Sequence, residues 1–502
     1  MQNRFALAVI AAIHLVVQLF CINQYGYFRD ELYYLACSEH LDWGYVDQPP
    51  LIAIITWIAR HLFGDSLLGL RILPVLAGTA LIVLTAMIAR RLGASPAAQT
   101  VAAICTAVAP GYLAGAHLLT MNVFEPLFWM GCVYVAIPEL QAWSRGSEPS
   151  QPRRWLLFGA IAGLGLQNKH SMLFFGAAFT VGLLLSEHRR MLLRPWIWLG
   201  GALALLIFLP NLIWEIRHDF ATVELLRIIA RSGKNAPVTL WSFFTGQAIL
   251  MNPLSLPVWL FGLWWLLRNR AYRPLGICYL ALFALFVVLK GKIYYLGPVY
   301  PMLFAAGATF MERWPSGRRL YVPAIVVAGA VLAPLAIPIL PVDTFIAYQR
   351  ALHFQPPVSE SHRLGPLPQL YADMFGWPEM AAVVARAYHA LPPAERARCG
   401  IFGQNYGQAG AIDFFGPRLG LPKAISAHQN YYFWGPRGYT GDCLIVMDDD
   451  RETLETIFGD VRQVGVVHHP LAMPYENDQP VHLCRQPKVP LPALWPKIKK
   501  WI

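Results

Sequence analysis

Apolar runs of bilayer-spanning length dominate the 502-residue chain and leave little room for a soluble globular core. A bilayer core takes about 20 consecutive apolar residues in helical form, and on that rule the chain reads as about eleven spans. They lie near 4–22, 67–89, 97–115, 118–138, 154–168, 170–186, 196–213, 243–267, 274–289, 294–311 and 320–340. The expected fold class is therefore a polytopic α-helical membrane protein. Hydrophobic residues make up 56% of the chain and mean hydropathy is +0.43, whereas an ordinary soluble domain is about 45–50% apolar. The first segment lacks a small-x-small cleavage site and is expected to stay as an uncleaved span.

The basic residues set the expected orientation. Arg90/Arg91, Arg145/Arg153/Arg154, Arg189/Arg190/Arg194, Arg268/Arg270/Arg273 and Arg313/Arg318/Arg319 fall in alternate loops. Cytoplasmic loops attract such residues, so the N-terminus is expected inside and an odd span count sends residues 341–502 outside. The net charge of +11 thus belongs to topology, and no nucleic-acid partner is expected. Leu51 to Phe63 is too short to cross and ends in Arg60-His61, which fits a helix lying at the membrane surface.

Only 14% of residues are charged, so the place of each acid is informative. Tyr25 to Leu51, in an outer loop over 23–66, gathers Asp30, Glu31, Glu39, Asp42 and Asp47 among aromatic residues. Asp30 and Glu31 are adjacent and point about 100° apart on a helix, so one can act as a base while the other orients a neighbour. Asp47-Gln48-Pro49-Pro50 holds an extended approach to the surface helix, because a residue before proline avoids the α region. Asn122 and Glu125 share one face of the fourth span, with His117 just before it; an acid within lipid normally faces a cavity or a partner. Lys169, His170, Lys290, Lys292, Tyr294, Tyr295 and Arg71 fall at the same outer ends. Singly, such cations snorkel at membrane edges; together they fit an anionic group such as a phosphate at headgroup depth. A transporter or lipid flippase is the competing reading, but charges gathered at one face without repeat symmetry fit it poorly.

From about 341, prolines and acids return and the apolar runs shorten. RCGIFGQNYGQAGAIDFFG reads as strand, turn and helix, and CLIVMDDD and VRQVGVVHH as further strands, giving an α/β domain over 341–502 beside a membrane domain over 1–340. Gly403, Gly407 and Gly410 do not have the dinucleotide-binding spacing, so no cofactor is expected. None of the eight cysteines forms a CxxC pair, so no metal site is expected. Cys399, Cys443 and Cys484 lie outside the apolar region and leave room for one disulfide without fixing its partners.

Five segments carry a resemblance: FRDELYY, VDQPPL, LLTMNVFEPLFW, GLGLQNKHSMLFF and GKIYYLGPVYPML. In this order they resemble the motifs of the GT-C superfamily of membrane glycosyltransferases, over roughly residues 4–311. In particular they resemble the bacterial branch similar to protein O-mannosyltransferases and to the lipid A aminoarabinose transferase. NYGQAGAIDFFG and HQNYYFWGP resemble the periplasmic domain of bacterial members. The resemblance implies inverting transfer from a polyprenyl-phosphate sugar donor to a lipid, glycan or protein acceptor, at the outer face of a bacterial inner membrane and without a metal. It implies Asp30 as general base, Glu31 as the residue that binds or orients the acceptor, and Lys169, Lys292 and Tyr294 as holders of the donor phosphate. Many relatives begin the fourth-span motif with Asp, where this chain has Asn122 and keeps an acid at Glu125.

Overall fold

The computed structural model describes residues 2–147, 151, 153–233, 239–354, 363–447 and 450–502. The proline run at 355–358, the side chain of Arg318, and Asp448 and Asp449 lie outside the described residues. The chain begins with α1 (Gln2–Cys21), α2 (Arg29–Glu39), α3 (Leu51–Phe63) and α4 (Leu67–Arg91). It continues through α5 (Pro96–Ala107), α6 (Pro110–His117), α7 (Met121–Ser144), α8 (Arg154–Asn168), α9 (Met172–Leu184) and α10 (Pro195–Arg217). After these come α11 (Ala221–Ser232), α12 (Leu240–Leu250), α13 (Leu256–Arg268), α14 (Arg273–Val288), α15 (Tyr300–Phe310) and α16 (Pro315–Leu332).

Among the described residues, four helices are long and apolar enough to cross a membrane, and up to six spans result if each bent pair counts as one. Two expected single spans are broken: α5 and α6 meet at 62°, and α12 and the Pro253–Arg268 segment at 99°. Proline causes both breaks. Pro110 and Pro253 carry no backbone N–H and clash with the preceding turn, so each starts a new helix. Asn252 completes the second break with φ +67 and a side chain that accepts from the Leu254 amide at 3.1 Å. Several expected spans are short helices, including α9, α14 and the 319–335 segment. Leu51 to Phe63 forms the expected 13-residue helix, burying Ile52, Ala53, Thr56 and Ala59 along one side.

The C-terminal part begins with α17 (Val342–Ala351), α18 (Gln369–Ala372), α19 (Trp377–His389) and α20 (Pro393–Arg396). A mixed sheet follows, with β1 (Gly400–Gly403), β2 (Cys443–Met447), β3 (Phe458–Val467) and β4 (Gln479–Pro487) in the order β1-β2-β4-β3. Helix α21 (Tyr406–Phe415) lies in the connection between β1 and β2, the one parallel pair in the sheet. Asn405 starts α21 by accepting from the Gly407 and Gln408 amides at 2.9 and 3.1 Å, which satisfies two of the amides a helix start leaves unpaired. Cys399 and Cys443 form the disulfide at the feet of β1 and β2, and Cys484 stays a buried thiol.

One apolar cluster runs across both parts of the chain. Leu32, Tyr33 and Leu35 of α2 pack in it with Trp377, Met380, Ile401, Ala409, Ile412 and Ile445. Small residues make this approach possible: a Cβ on Gly407 would meet Arg29 Cγ at 2.6 Å, and one on Gly410 would meet the Leu32 carbonyl at 2.9 Å. The glycines that fail the dinucleotide spacing therefore let α21 lie against α2.

Candidate active site

The first turn of α2 splits its two acids into different environments. Glu31 is fully buried and forms a two-pronged ion pair with the equally buried Arg71, with contacts of 2.9 Å to Nε and 2.8 Å to Nη2. The Phe28 and Leu119 amides, at 2.9 and 3.0 Å, fill its remaining acceptor sites. Arg71 also donates to the Ile22 and Gly26 carbonyls and stands 3.2 Å from His117 Nε2. A pair so enclosed and so fully hydrogen-bonded fixes geometry, because breaking it would strand a buried charge. Glu31, Arg71 and His117 thus form a lock joining the first loop, α4 and the end of α6, and Arg71 is already engaged by protein groups.

Asp30, one residue earlier, stays partly exposed. Its Oδ1 accepts from the hydroxyl of Tyr406, the first residue of α21, at 2.8 Å. The Tyr406 ring packs against Tyr33 with centroids 4.8 Å apart, and the Tyr33 hydroxyl donates to Asp47 Oδ1 at 3.2 Å. Asp30 and Asp47 are therefore bound to two touching phenols. Burial, and then the nearby carboxylates, push the Tyr33 and Tyr34 hydroxyls well above the ordinary phenol range, so both remain protonated donors. The loop carrying Asp47 is clamped from the C-terminal part, where Asn430 Oδ1 accepts from the Val46 amide at 2.7 Å.

Lys169 is the centre of the second cluster. Its ammonium donates to Asn122 Oδ1 at 2.8 Å and to Glu125 Oε2 at 2.9 Å. It also lies 4.9 Å from the Tyr295 ring centroid and 5.7 Å from that of Tyr294. Glu125 accepts from the Ser171 hydroxyl through its other oxygen. Asn122 and Glu125, three apart on α7, do share a face, and that face meets the α8–α9 junction. His170 turns away to Asn211 Oδ1 of α10 at 3.0 Å, and Asn211 donates to the Trp43 carbonyl at 2.9 Å. Lys290 is exposed at φ +51, and Lys292 is partly exposed two residues later.

The two clusters meet through one short segment. The Leu119 amide is held by Glu31, and Asn122 follows three residues later at the start of α7. The carboxylate of Asp30 and the ammonium of Lys169 are thereby set on a common framework. A cleft of about 670 Å3 among Trp143, Glu187, Arg189, Arg190, Arg194 and Arg273 lies elsewhere, and none of the candidate residues lines it.

Sequence reasoning missed Tyr406, Tyr33, Asn211 and Ser171 as partners. Tyr406 is 376 positions from Asp30, and only the packing of α21 on α2 brings it there. A signal existed in the small residues of NYGQAG, which mark a close helix approach without naming the partner.

Residues 47–214 match the family model described as dolichyl-phosphate-mannose-protein mannosyltransferase. That stretch holds Asp47 and the whole Asn122–Glu125–Lys169 cluster. The chain is 29% identical over 251 residues to the lipid A galacturonosyltransferase RgtD of Rhizobium johnstonii, a match covering 49% of this chain and 50% of that relative. The match therefore spans half the length of that curated relative. ArnT from Cupriavidus metallidurans in the apo state superposes with a TM-score of 0.64 at 16% identity, covering 96% of this chain and 98% of ArnT. ArnT bound to undecaprenyl phosphate gives a TM-score of 0.63 at 17% identity, covering 95% and 97%. Such identities speak to fold, and the fold agrees with the motif order and with the matched family model. The chain is thus similar to that mannosyltransferase family over residues 47–214, and its overall fold is that of ArnT.

Proposed function

We propose that this protein is an inverting glycosyltransferase, moving a sugar from a polyprenyl-phosphate-linked donor to a lipid, glycan or protein acceptor at the outer face of a bacterial inner membrane. The carrying observation is the split between the neighbouring acids: Glu31 is sealed against Arg71, while Asp30 keeps a partly exposed carboxylate on the framework that holds Lys169. Asp30 takes the proton of the acceptor hydroxyl or amine as that atom attacks the anomeric carbon. The sugar–phosphate bond breaks on the opposite face, and its electron pair leaves with the polyprenyl phosphate.

Lys169 receives the growing negative charge on that phosphate, with Lys290 and Lys292 nearby in sequence to Tyr294 and Tyr295, whose rings face the ammonium. Glu125 and Asn122 aim Lys169, and Asp47 stands as a second-line acceptor contact. Glu31, Arg71 and His117 position the loop and touch no reacting atom. The family model, which describes a dolichyl-phosphate-mannose enzyme, and ArnT with undecaprenyl phosphate support a polyprenyl-phosphate donor. The Cys399–Cys443 disulfide supports an oxidising compartment for the C-terminal part.

Mass spectrometry of lipids and glycans from cells lacking the protein, complemented with wild type or Asp30→Asn, tests the reading. Wild type should restore a sugar increment, and Asp30→Asn should not, while inserting and melting normally. A full increment from Asp30→Asn would sink the assignment of the base.

A further inference from the structure

We propose that Tyr406 is a positioning residue for Asp30, so that the C-terminal part of the chain supplies a required piece of the active site. This rests on the reading of Asp30 as the base.

The phenol is fixed from several sides. Its ring stacks on His428 with centroids 5.2 Å apart and planes 5° from parallel, and it packs on Tyr33 from the opposite part of the chain. The Arg29 guanidinium lies 5.2 Å from the ring centroid. The Tyr406 amide donates to His428 Nδ1 at 3.1 Å, and Asn405 caps the helix on which the residue sits. Arg29 is anchored in turn: Nη1 donates to the Tyr475 hydroxyl at 2.6 Å, and its backbone amide to the Asp373 carbonyl at 3.0 Å. Asn405 and Gln408 both donate to Glu476, which holds the start of α21 against the loop carrying Tyr475.

A ring so enclosed cannot swing away, so its hydroxyl stays aimed at Asp30 Oδ1. Burial pushes that hydroxyl well above the ordinary phenol range, and it remains a donor wherever the enzyme is folded. With Oδ1 held by Tyr406, Oδ2 is the oxygen left to meet the acceptor proton. An untethered carboxylate in the first turn of a helix would sample several orientations, and misplacement of a base by about 1 Å can cost 100-fold in rate. The aspartate alone was legible as the candidate base, whereas its aim depends on Tyr406 of the C-terminal part.

Tyr406→Phe keeps the ring and removes the single hydroxyl. In cells lacking the native protein, this variant should restore the sugar increment about 10- to 100-fold less efficiently than wild type at equal expression. The purified variant should bind undecaprenyl phosphate with wild-type affinity and melt at the wild-type temperature. That split between binding and turnover distinguishes positioning from mere packing. A full increment from Tyr406→Phe overturns the proposal, and so does weakened undecaprenyl phosphate binding or a lowered melting temperature, since either makes the hydroxyl a structural bond. If Asp30→Asn itself restores the increment, the underlying reading fails instead, and the two failures are told apart.

Discussion

Asp30 and Glu31 show how adjacent acids acquire separate environments from burial and from their partners. Both were legible in the sequence as acids in an apolar chain, but their division of labour depends on Arg71, 40 positions on, and on Tyr406. Asp413 of α21 carries a different consequence at this scale. Burial outweighs its contacts with Lys423, the Ala424 amide, Arg437 and Tyr431, and raises its carboxyl to about 6. A carboxyl raised in the folded state binds more protons there than in the unfolded chain, so its contribution falls as pH rises from about 4 to 6 and is flat above. Asp413→Asn should remove this slope: the stability difference between wild type and variant should change across that window and hold constant from pH 7 to 8. Parallel melting curves across the range would show that Asp413 is ionised throughout.

At the scale of elements, the contact of α2 with α21 decides whether the first loop is presented correctly. Gly407→Ala places a methyl 2.6 Å from Arg29 Cγ, 2.9 Å from Arg29 Cδ and 3.0 Å from the edge of Trp377. Overpacking of this kind costs about 1–3 kcal/mol. The expected result is a lowered melting temperature together with a reduced sugar increment, because Tyr406 moves with α21. A Gly407→Ala protein with wild-type melting and turnover would mean that the contact is loose. The helices themselves were largely legible from the length of their apolar runs, and α21 from its turn residues. The breaks at Pro110 and Pro253 were not, since length and hydropathy count a bent pair as one span. Strand β4 was missed because Gln479-Pro-Val-His-Leu-Cys-Arg-Gln-Pro487 has proline near both ends and a His and an Arg between. Pairing with β2 and β3 overrides those local preferences.

On the scale of the whole molecule, the division at about residue 340 marks a change of composition more than a break in packing. Leu32, Tyr33, Leu35 and Cys37 of α2 are at most 2% exposed, and their cover includes Trp377, Ala409, Ile412 and Tyr431. Val46 is tied to Asn430, and Tyr25 donates to the Leu340 carbonyl and packs on Tyr371 and Phe375. A chain ending at 340 would thus leave an apolar face of α2 bare, with Asp30 released from Tyr406 and the Asp47 loop from Asn430. Exposing several large apolar side chains costs about 1.5–3 kcal/mol each, enough to unseat a loop that has few contacts of its own. Truncation after residue 340 should therefore abolish the sugar increment even where the protein still inserts, and limited proteolysis should newly cut within 23–50. A truncated chain that transfers sugar and resists cleavage there would show that the membrane part holds its first loop unaided. Supplying residues 341–502 as a separate chain should restore protection of 23–50 only to the extent that it rebuilds the α2–α21 contact, so Gly407→Ala in that added chain should weaken the rescue.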